Sequence, residues 1–322
     1  MVGSSVPREL VDAFGLESSR MLPPGSVESE SRGEILSGPG FCSWCKSALG
    51  SPESEALWIG GATCDQMRRC LELAGRKSGS RSLVIHVPKI RTDEAEEFFR
   101  SELVWLYQEL ERLTGARPSD DALRTAIASH NEKRRLLREI RSGLSGGDFV
   151  SLLHLDALLP AAEMVAFLKD VRPAPPRTEG FSVMIAGGPS TPADLRWLDT
   201  IEDTGMRIVA DATGTGDRAI DFEVDPGADP LAGLARAYFR KPPSIWVRPN
   251  DAFYDYAGTL ARKRSVRAVI WRSWKGCDVW SLESRRAVQK LGIPLLALDM
   301  TFGDIDSARI KTRLAAFRES LR

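Results

Sequence analysis

The spacing of apolar residues predicts a helical block in the first half of the chain. Across Ala95–Leu113 apolar side chains recur every three or four positions, which is typical of a helix with one face on a core. The pattern predicts a second helix that ends at Gly143. It predicts a third helix over about Phe149–Val171, bent at Pro160.

Short apolar runs predict strands on both sides of this block. Leu57–Ile59 and Ser82–Pro88 have the composition of buried parallel strands, and a short helix is predicted over Glu9–Leu16. After residue 180 strands and helices alternate, which is typical of a parallel, doubly wound sheet. The strands predicted there are 181–187, 206–212, 244–249, 267–273 and 294–300, and the helices are Ala193–Thr204, Leu231–Arg240, Ala252–Lys263, Leu282–Leu291 and Ile305–Leu321.

The change of pattern falls at a proline-rich segment, RPAPPRTEG, at residues 172–180. Runs of this kind favour an extended linker. The sequence therefore predicts an N-terminal α/β domain over residues 1–171, with a helical insertion from about residue 93 to residue 171. A C-terminal α/β domain is predicted over residues 181–322.

Composition narrows the class of protein. The chain has 322 residues, 43% of them hydrophobic and 27% charged, with 44 basic and 44 acidic side chains. This balance gives no basic field for nucleic acid or a membrane surface, and no run of about 18 apolar residues predicts a membrane span. The first residues show no signal-peptide pattern, so we expect a cytoplasmic protein with reduced thiols. Five cysteines fit no disulfide framework and suit metal ligation better.

Two glycine-containing motifs and the histidines are weaker indications of function. DATGTGDRA at residues 211–219 nominally resembles a dinucleotide-binding turn, but the helix that such a site needs is missing from the pattern. GGPSTP at residues 187–192 is read as a proline-stiffened turn rather than a phosphate site. His86, His130 and His154 stand alone in separate segments, so packed or hydrogen-bonded histidines are expected.

The cysteines are the strongest indication of a chemical function in this sequence. Cys42 and Cys45 have a C-x-x-C spacing, but neither a second close pair for zinc nor a preceding strand for thioredoxin-like chemistry is present. Cys64 and Cys277 each follow a predicted strand and lead into a helix, whose N-terminus favours the thiolate. Strand ends of two domains can converge across a cleft. With one cysteine of the preceding loop they supply three thiolates, which leave one iron of a [4Fe–4S] cluster open.

Tryptophans lie close to these cysteines in the sequence. Trp271, Trp274 and Trp280 flank Cys277, and Trp44 adjoins Cys42. These tryptophans are interpreted either as aromatic residues of the core or as apolar surroundings that keep water away from a metal centre.

Several segments, in order along the chain, resemble the 2-hydroxyacyl-CoA dehydratase / benzoyl-CoA reductase D-component family. They are Cys42-Ser-Trp-Cys-Lys46-Ser47-Ala-Leu-Gly50, Ala62-Thr63-Cys64-Asp65 with Arg68-Arg69, His130-Asn131-Glu132-x-Arg134-Arg135-Leu136-Leu137, and Cys277 with Gly292-Ile293-Pro294, Leu295–Asp299 and Thr312-Arg313-Leu-Ala-Ala-Phe317-x-Glu319. Any one of them is weakly specific, but together they cover nearly the whole chain.

The resemblance implies two flavodoxin-like or Rossmann-like domains with a [4Fe–4S] cluster between them. The ligands carried over are Cys42, Cys64 and Cys277, whereas the family pattern requires neither Cys45 nor Cys70. Cys45 is the alternate first ligand if the match is displaced by three residues. Family members work as two related subunits, and a separate ATP-hydrolysing iron–sulfur activator supplies a low-potential electron. In the dehydratases that electron reduces an acyl thioester to a ketyl radical anion, which then expels a β-positioned group such as hydroxide. The expected activity is a lyase of this type in a heterodimer.

The resemblance leaves two other functions open. One is a reductase of the benzoyl-CoA reductase type, and the other is a non-catalytic partner subunit. It provides no catalytic base, so Lys46, Ser47 and Trp274 are candidates only because they lie near ligands in the sequence.

Overall fold

A computed structural model describes residues 1, 3–52, 57–77, 79, 82–172, 175 and 179–321. The strands in these ranges are β1 Trp58–Ala62, β2 Ser82–His86, β3 Phe181–Gly187, β4 Met206–Asp211, β5 Ala268–Trp274 and β6 Leu295–Met300. The α-helices are α1 Arg8–Ala13, α2 Val27–Ser37, α3 Ser43–Leu49, α4 Asp65–Lys77, α5 Asp93–Thr114, α6 Asp120–Ile140, α7 Gly146–Leu158, α8 Ala161–Asp170, α9 Asp194–Asp203, α10 Asp217–Ile220, α11 Pro230–Arg240, α12 Asp251–Lys263, α13 Asp278–Leu291 and α14 Ala308–Ser320.

The second half of the chain forms a parallel sheet with the order β4-β3-β5-β6. The central strands β3 and β5 are buried at every position, which explains their unbroken apolar character. The chain order reverses between β3 and β5, so a crevice opens there at the carboxyl ends of the strands. This arrangement confirms the predicted parallel, doubly wound α/β architecture.

The first half has a smaller parallel sheet of β1 and β2, joined by α4. Glycine allows α4 to pack closely, because a Cβ added at Gly60 would lie 2.5 Å from a methyl carbon of Leu71. The helical block follows as α5 to α8, and α5, α6 and α7 begin at the hydroxyl caps Thr92, Ser119 and Ser145. The molecule thus contains the two predicted parallel sheets within its described residues.

Two details of the predicted elements are wrong. The helix expected over Phe149–Val171 is two helices, because Pro160 lacks an N–H donor and begins α8 instead of bending α7. Residues 244–249 form turns instead of a strand. Prolines at 242, 243 and 249 interrupt strand pairing there, and the buried Ile245 packs into a core cluster without sheet hydrogen bonds.

Apolar cores join the two halves of the chain. One cluster contains residues of α3 and α4 together with residues of β3, β5, α9 and α14. Another packs α11 against α1 and α5. The division at residues 171 and 181 stays a prediction, and residues 173, 174 and 176–178 of the predicted linker lie outside the described residues.

Candidate functional site

Three cysteines from separate loops line one cavity of about 250 Å³. Cys42 precedes α3, Cys64 lies between β1 and α4, and Cys277 lies between β5 and α13. Residues that follow β2, β3 and β4 also line this cavity, so it lies at the carboxyl ends of strands from both sheets. The structure therefore brings together the three cysteines that were singled out in the sequence.

One amide side chain joins the three cysteine loops. Gln66 accepts a hydrogen bond from the Cys42 N–H, with 2.6 Å between Oε1 and N. Its Nε2 donates to the Gly276 carbonyl oxygen at 2.9 Å. Because Gln66 lies two residues after Cys64 and Gly276 directly precedes Cys277, this side chain fixes the loops relative to one another. No pattern in the sequence marks Gln66 for this role.

The loops of Cys42 and Cys277 are also in direct backbone contact. The Ser43 N–H donates to the Lys275 carbonyl oxygen at 3.0 Å. Gly276 has a φ of +81°, and a Cβ added there would lie 2.9 Å from the Phe41 carbonyl oxygen and 3.1 Å from the Cys42 Cα. Only glycine fits this position without displacing a neighbouring backbone.

The environment of Cys64 and Cys277 opposes free thiolates. Burial raises the pKa of Cys64 to about 11 and that of Cys277 to about 12, and the negative charge of Cys42 adds to both shifts. Backbone N–H groups at the start of each following helix lower these two pKa values, as expected, but burial outweighs them. A metal bound there would supply the positive charge that thiolates in such a place require.

Cys45 has a different environment. It is 1% exposed and lies between Cys42 and Cys70, although it also borders the cavity. A hydrogen bond with the Cys45 thiol lowers the pKa of Cys42, whereas hydrogen bonds with Cys42 and Cys70, together with burial, raise the pKa of Cys45. The Cys70 Sγ donates to the Cys45 carbonyl oxygen at 3.8 Å.

Two of the catalytic candidates have structural contacts. Lys46 Nζ pairs with Glu34 Oε2 at 2.9 Å. The Ser47 hydroxyl accepts the Gly25 N–H at 3.0 Å and lies 2.7 Å from the Ser29 hydroxyl. Among the described residues that line the cavity, neither Lys46 nor Ser47 is present. Both residues tie α3 to α2 and to the segment before it.

The third candidate, Trp274, does line the cavity. Its Nε1 donates to the Pro189 carbonyl oxygen at 3.0 Å. Beneath it the buried guanidinium of Arg272 pairs with Asp194 at 2.6 Å and donates to the carbonyl oxygens of Gly188 and Pro189. This loop after β3 is therefore held against Trp274 from two sides.

The histidines have the ordinary environments that were predicted. His130 Nε2 lies 2.8 Å from Asp12 Oδ2, and His154 Nε2 lies 3.2 Å from the Ser190 hydroxyl. Burial lowers the pKa of both rings. His86 is exposed at the end of β2.

The donors at this cavity are thiols, which are the ligands that iron–sulfur clusters use. Among the described residues, no group of three or more His, Cys, Asp or Glu side chains could hold one metal ion. The buried Nε1 of Trp44, which lines the same cavity, has no hydrogen-bond partner in the described structure. An indole N–H of this kind suits a sulfide acceptor.

The described part of the chain has no helix that is both long and apolar enough to cross a membrane.

Residues 4–321 match the family described as "2-hydroxyglutaryl-CoA dehydratase, D-component". The chain therefore belongs to this family.

Three curated relatives are similar over most of their length. The chain is 27% identical to a benzoyl-CoA reductase subunit of Thauera aromatica, over 86% of this chain and 78% of the relative. It is 26% identical to the dehydratase subunit YjiM of Escherichia coli (strain K12), over 82% and 74%. It is 24% identical to the (R)-phenyllactyl-CoA dehydratase beta subunit of Clostridium sporogenes, over 74% and 67%. The chain thus belongs to a family of dehydratase and reductase subunits.

Proposed function

We propose that this chain is the iron–sulfur subunit of a 2-hydroxyacyl-CoA dehydratase-like enzyme, with a [4Fe–4S] cluster held by Cys42, Cys64 and Cys277. The observation that carries the proposal is that these thiols, from both halves of the chain, line one cavity at the carboxyl ends of two parallel sheets. When bound, the cluster supplies low-potential electron transfer and an open iron that acts as a Lewis acid. The reaction is the removal of water from a 2-hydroxyacyl thioester.

The chain's own residues have supporting roles in this proposal. Gln66 and Gly276 set the spacing of the three loops, and Trp44 and Trp274 keep water away from the thiols. Cys42 is favoured over Cys45 as the first ligand. The negative charge of Cys42 raises the pKa of Cys64 and that of Cys277, whereas Cys45 is hydrogen-bonded with the thiols of Cys42 and Cys70.

The proposal includes partners and a location. The relatives from Thauera aromatica and Clostridium sporogenes are named as subunits, which supports a heterodimer with a paralogous subunit. An ATP-dependent iron–sulfur activator belongs to the same proposal, because a low-potential cluster needs an electron donor. All five cysteines are free, which suits the reducing cytoplasm.

A second candidate is a reductase of the benzoyl-CoA reductase type, favoured by the similarity to the relative from Thauera aromatica. It uses the same cysteines and cavity but adds electrons and protons to the acyl group instead of removing water. A non-catalytic partner subunit with the same fold is the third.

Iron and sulfide analysis after anaerobic purification tests the cluster. We expect about four irons per chain. Cys42→Ala, Cys64→Ala and Cys277→Ala should lose the iron. The matched control Cys45→Ala, which removes a buried thiol from the same cavity, should keep it. Zinc in place of iron, or loss of iron only in the Cys45 variant, would contradict the ligand assignment.

Turnover with the partner subunit, the activator and ATP tests the reaction. A 2-hydroxyacyl thioester should lose water to give the 2-enoyl thioester. Reduction of an aromatic thioester without dehydration would instead favour the reductase. Neither reaction, in a protein that holds iron, would favour the non-catalytic subunit.

A further inference from the structure

Two cysteines of the core have no role in the proposed function. Cys45 lies on α3 and Cys70 on α4, and both belong to the apolar core cluster that also contains Cys42. Cys45 is 1% exposed and Cys70 is fully buried. A buried cysteine is ordinarily an inert apolar side chain, so a functional role has to rest on contacts that packing alone does not require.

Such contacts join three thiols in a row. The thiol of Cys45 is hydrogen-bonded with that of Cys42 on one side and with that of Cys70 on the other. The Cys70 Sγ also donates to the Cys45 carbonyl oxygen at 3.8 Å, which holds the last thiol of the row against α3. All three cysteines are free. The sulfur of Cys45 is therefore adjacent to two other thiols, either of which it can bond.

The backbone at the first two thiols suits a disulfide. Cys42 directly precedes α3, and its carbonyl oxygen accepts the Lys46 N–H at 3.0 Å, so Cys42 and Cys45 share the first helical turn. Residues three apart in a helix have Cα atoms about 5 Å apart, and a disulfide requires about 4.4–6.8 Å. Helix α2 packs on the backbone of α3 at Gly33, where an added Cβ would overlap the Lys46 carbonyl oxygen. The sulfur of Cys45 can therefore turn while α3 stays in place.

One end of the row faces the cavity and the other faces the core. Cys42 and Cys45 line the cavity, whereas Cys70 is not part of its described lining. Cys42 is the most exposed of the three, at 8%. A small oxidant that enters the cavity therefore meets Cys42 first. Cys45, directly behind it, has the position of a resolving thiol.

We propose that Cys45 and Cys70 form a thiol–disulfide site that protects Cys42 from irreversible oxidation when the chain holds no iron. Hydrogen peroxide oxidises the Cys42 thiol to a sulfenic acid and is itself reduced to water. The Cys45 thiol then attacks the sulfur of the sulfenic acid, which forms a disulfide between Cys42 and Cys45 and releases a second water. Two thiols thus lose two electrons and two protons to one molecule of peroxide.

Cys70 completes the site by thiol–disulfide exchange. Its sulfur attacks the Cys45 sulfur, the bond between Cys42 and Cys45 breaks, and the proton lost by Cys70 goes to Cys42. Disulfides of C-x-x-C motifs exchange readily, because they are more oxidising than structural disulfides. The product is a disulfide between Cys45 and Cys70 that joins α3 to α4 and leaves Cys42 as a thiol. The role of that thiol as a ligand rests on the proposed function, whereas the exchange does not.

Disulfide mapping in the full chain tests this site. The reduced, iron-free protein is treated with an equimolar amount of hydrogen peroxide, its remaining thiols are alkylated, and its tryptic peptides are analysed by mass spectrometry. Trypsin places Cys42 and Cys45 in the peptide of residues 33–46 and Cys70 in that of residues 70–76. We expect these two peptides to be joined through Cys45, with Cys42 alkylated. The control is the same treatment in concentrated urea, where the fold is lost and this cross-link should not predominate.

Variants separate the steps. Cys70→Ala should retain the disulfide within the peptide of residues 33–46, so that Cys42 is not alkylated. Cys45→Ala should instead give sulfinic acid at Cys42, because no resolving thiol follows. Cys42→Ala should slow the cross-link between α3 and α4 at least about tenfold, because the two remaining thiols are buried. The mapping of the unchanged chain supports or overturns the site even if a variant fails to fold.

Three results would overturn the site. They are a disulfide that joins Cys42 to Cys64 or Cys277, sulfinic acid at Cys42 in the unchanged chain, and the expected cross-link at an equal rate in Cys42→Ala. The same cross-link as the main product in urea would show that the fold does not direct it. Iron analysis of the native chain is independent of this mapping. The cross-link in a chain that natively holds no iron would retain the site while the cluster proposal fails, and iron without the cross-link would have the opposite meaning.

Discussion

Replacement of Gly276 by alanine probes the contact between the loops of Cys42 and Cys277. The new Cβ would lie 2.9 Å from the Phe41 carbonyl oxygen and 3.1 Å from the Cys42 Cα. These are backbone atoms that cannot rotate away, so one loop must move. Gly292→Ala is a matched control, because Gly292 also has a positive φ, +65°, but an added Cβ meets nothing within 4 Å.

The two variants separate backbone strain from the clash. An alanine at positive φ costs about 1–2 kcal/mol, and this cost applies to both. The contact at Gly276 adds an overpacking cost of about 1–3 kcal/mol. We therefore expect the free energy of unfolding to fall by about 2–5 kcal/mol in Gly276→Ala and by about 1–2 kcal/mol in Gly292→Ala.

Urea unfolding, followed by circular dichroism, measures both losses, and iron content measures the consequence for the site. Gly276→Ala should also retain less iron than Gly292→Ala, because displacement of one loop separates Cys42 from Cys277. Equal losses of stability in the two variants would refute the claim that close backbone contact holds these loops together.

Two further predictions concern Gln66 and Asp211. Gln66→Ala removes the hydrogen bonds with Cys42 and Gly276 and should lower the free energy of unfolding by about 2–3 kcal/mol in the same urea assay. An unchanged free energy of unfolding would contradict the bridging role. Burial raises the pKa of Asp211 to about 6, and a hydrogen bond from Thr213 only partly offsets this. The pKa of Asp211 is higher in the folded than in the unfolded chain. The free energy of unfolding therefore falls progressively as the pH rises from about 4 to about 6. Asp211→Asn should therefore gain up to about 3 kcal/mol at pH 7.5 and little at pH 4, and a gain independent of pH would contradict this.

Most of the sheet could be predicted from the sequence because its strands are short, apolar and separated by helices. β3 and β5 are buried on both faces, so their composition alone marks them. The strand predicted at residues 244–249 was wrong because a buried apolar run can also pack without sheet pairing. The helices α2 and α3 were missed because α2 is mostly polar and α3 is only seven residues long.

The site was predictable only in part. Cys64 and Cys277 could be singled out because carboxyl ends of parallel strands share one edge. Gln66 could not, because its role depends on contacts between distant segments. Gln66 binds a carbonyl oxygen 210 positions away.

The core that joins α3 and α4 to β3, β5 and α14 has a consequence for the order of events during protein synthesis. Cys42 and Cys64 leave the ribosome long before Cys277, and elongation at about 5–20 residues per second makes this interval about 10–40 seconds. During that interval the residues of α3 and α4 in this core lack the part of the core that β3, β5 and α14 supply. The three thiols can therefore line one cavity only after Cys277 and the strand before it have been synthesised.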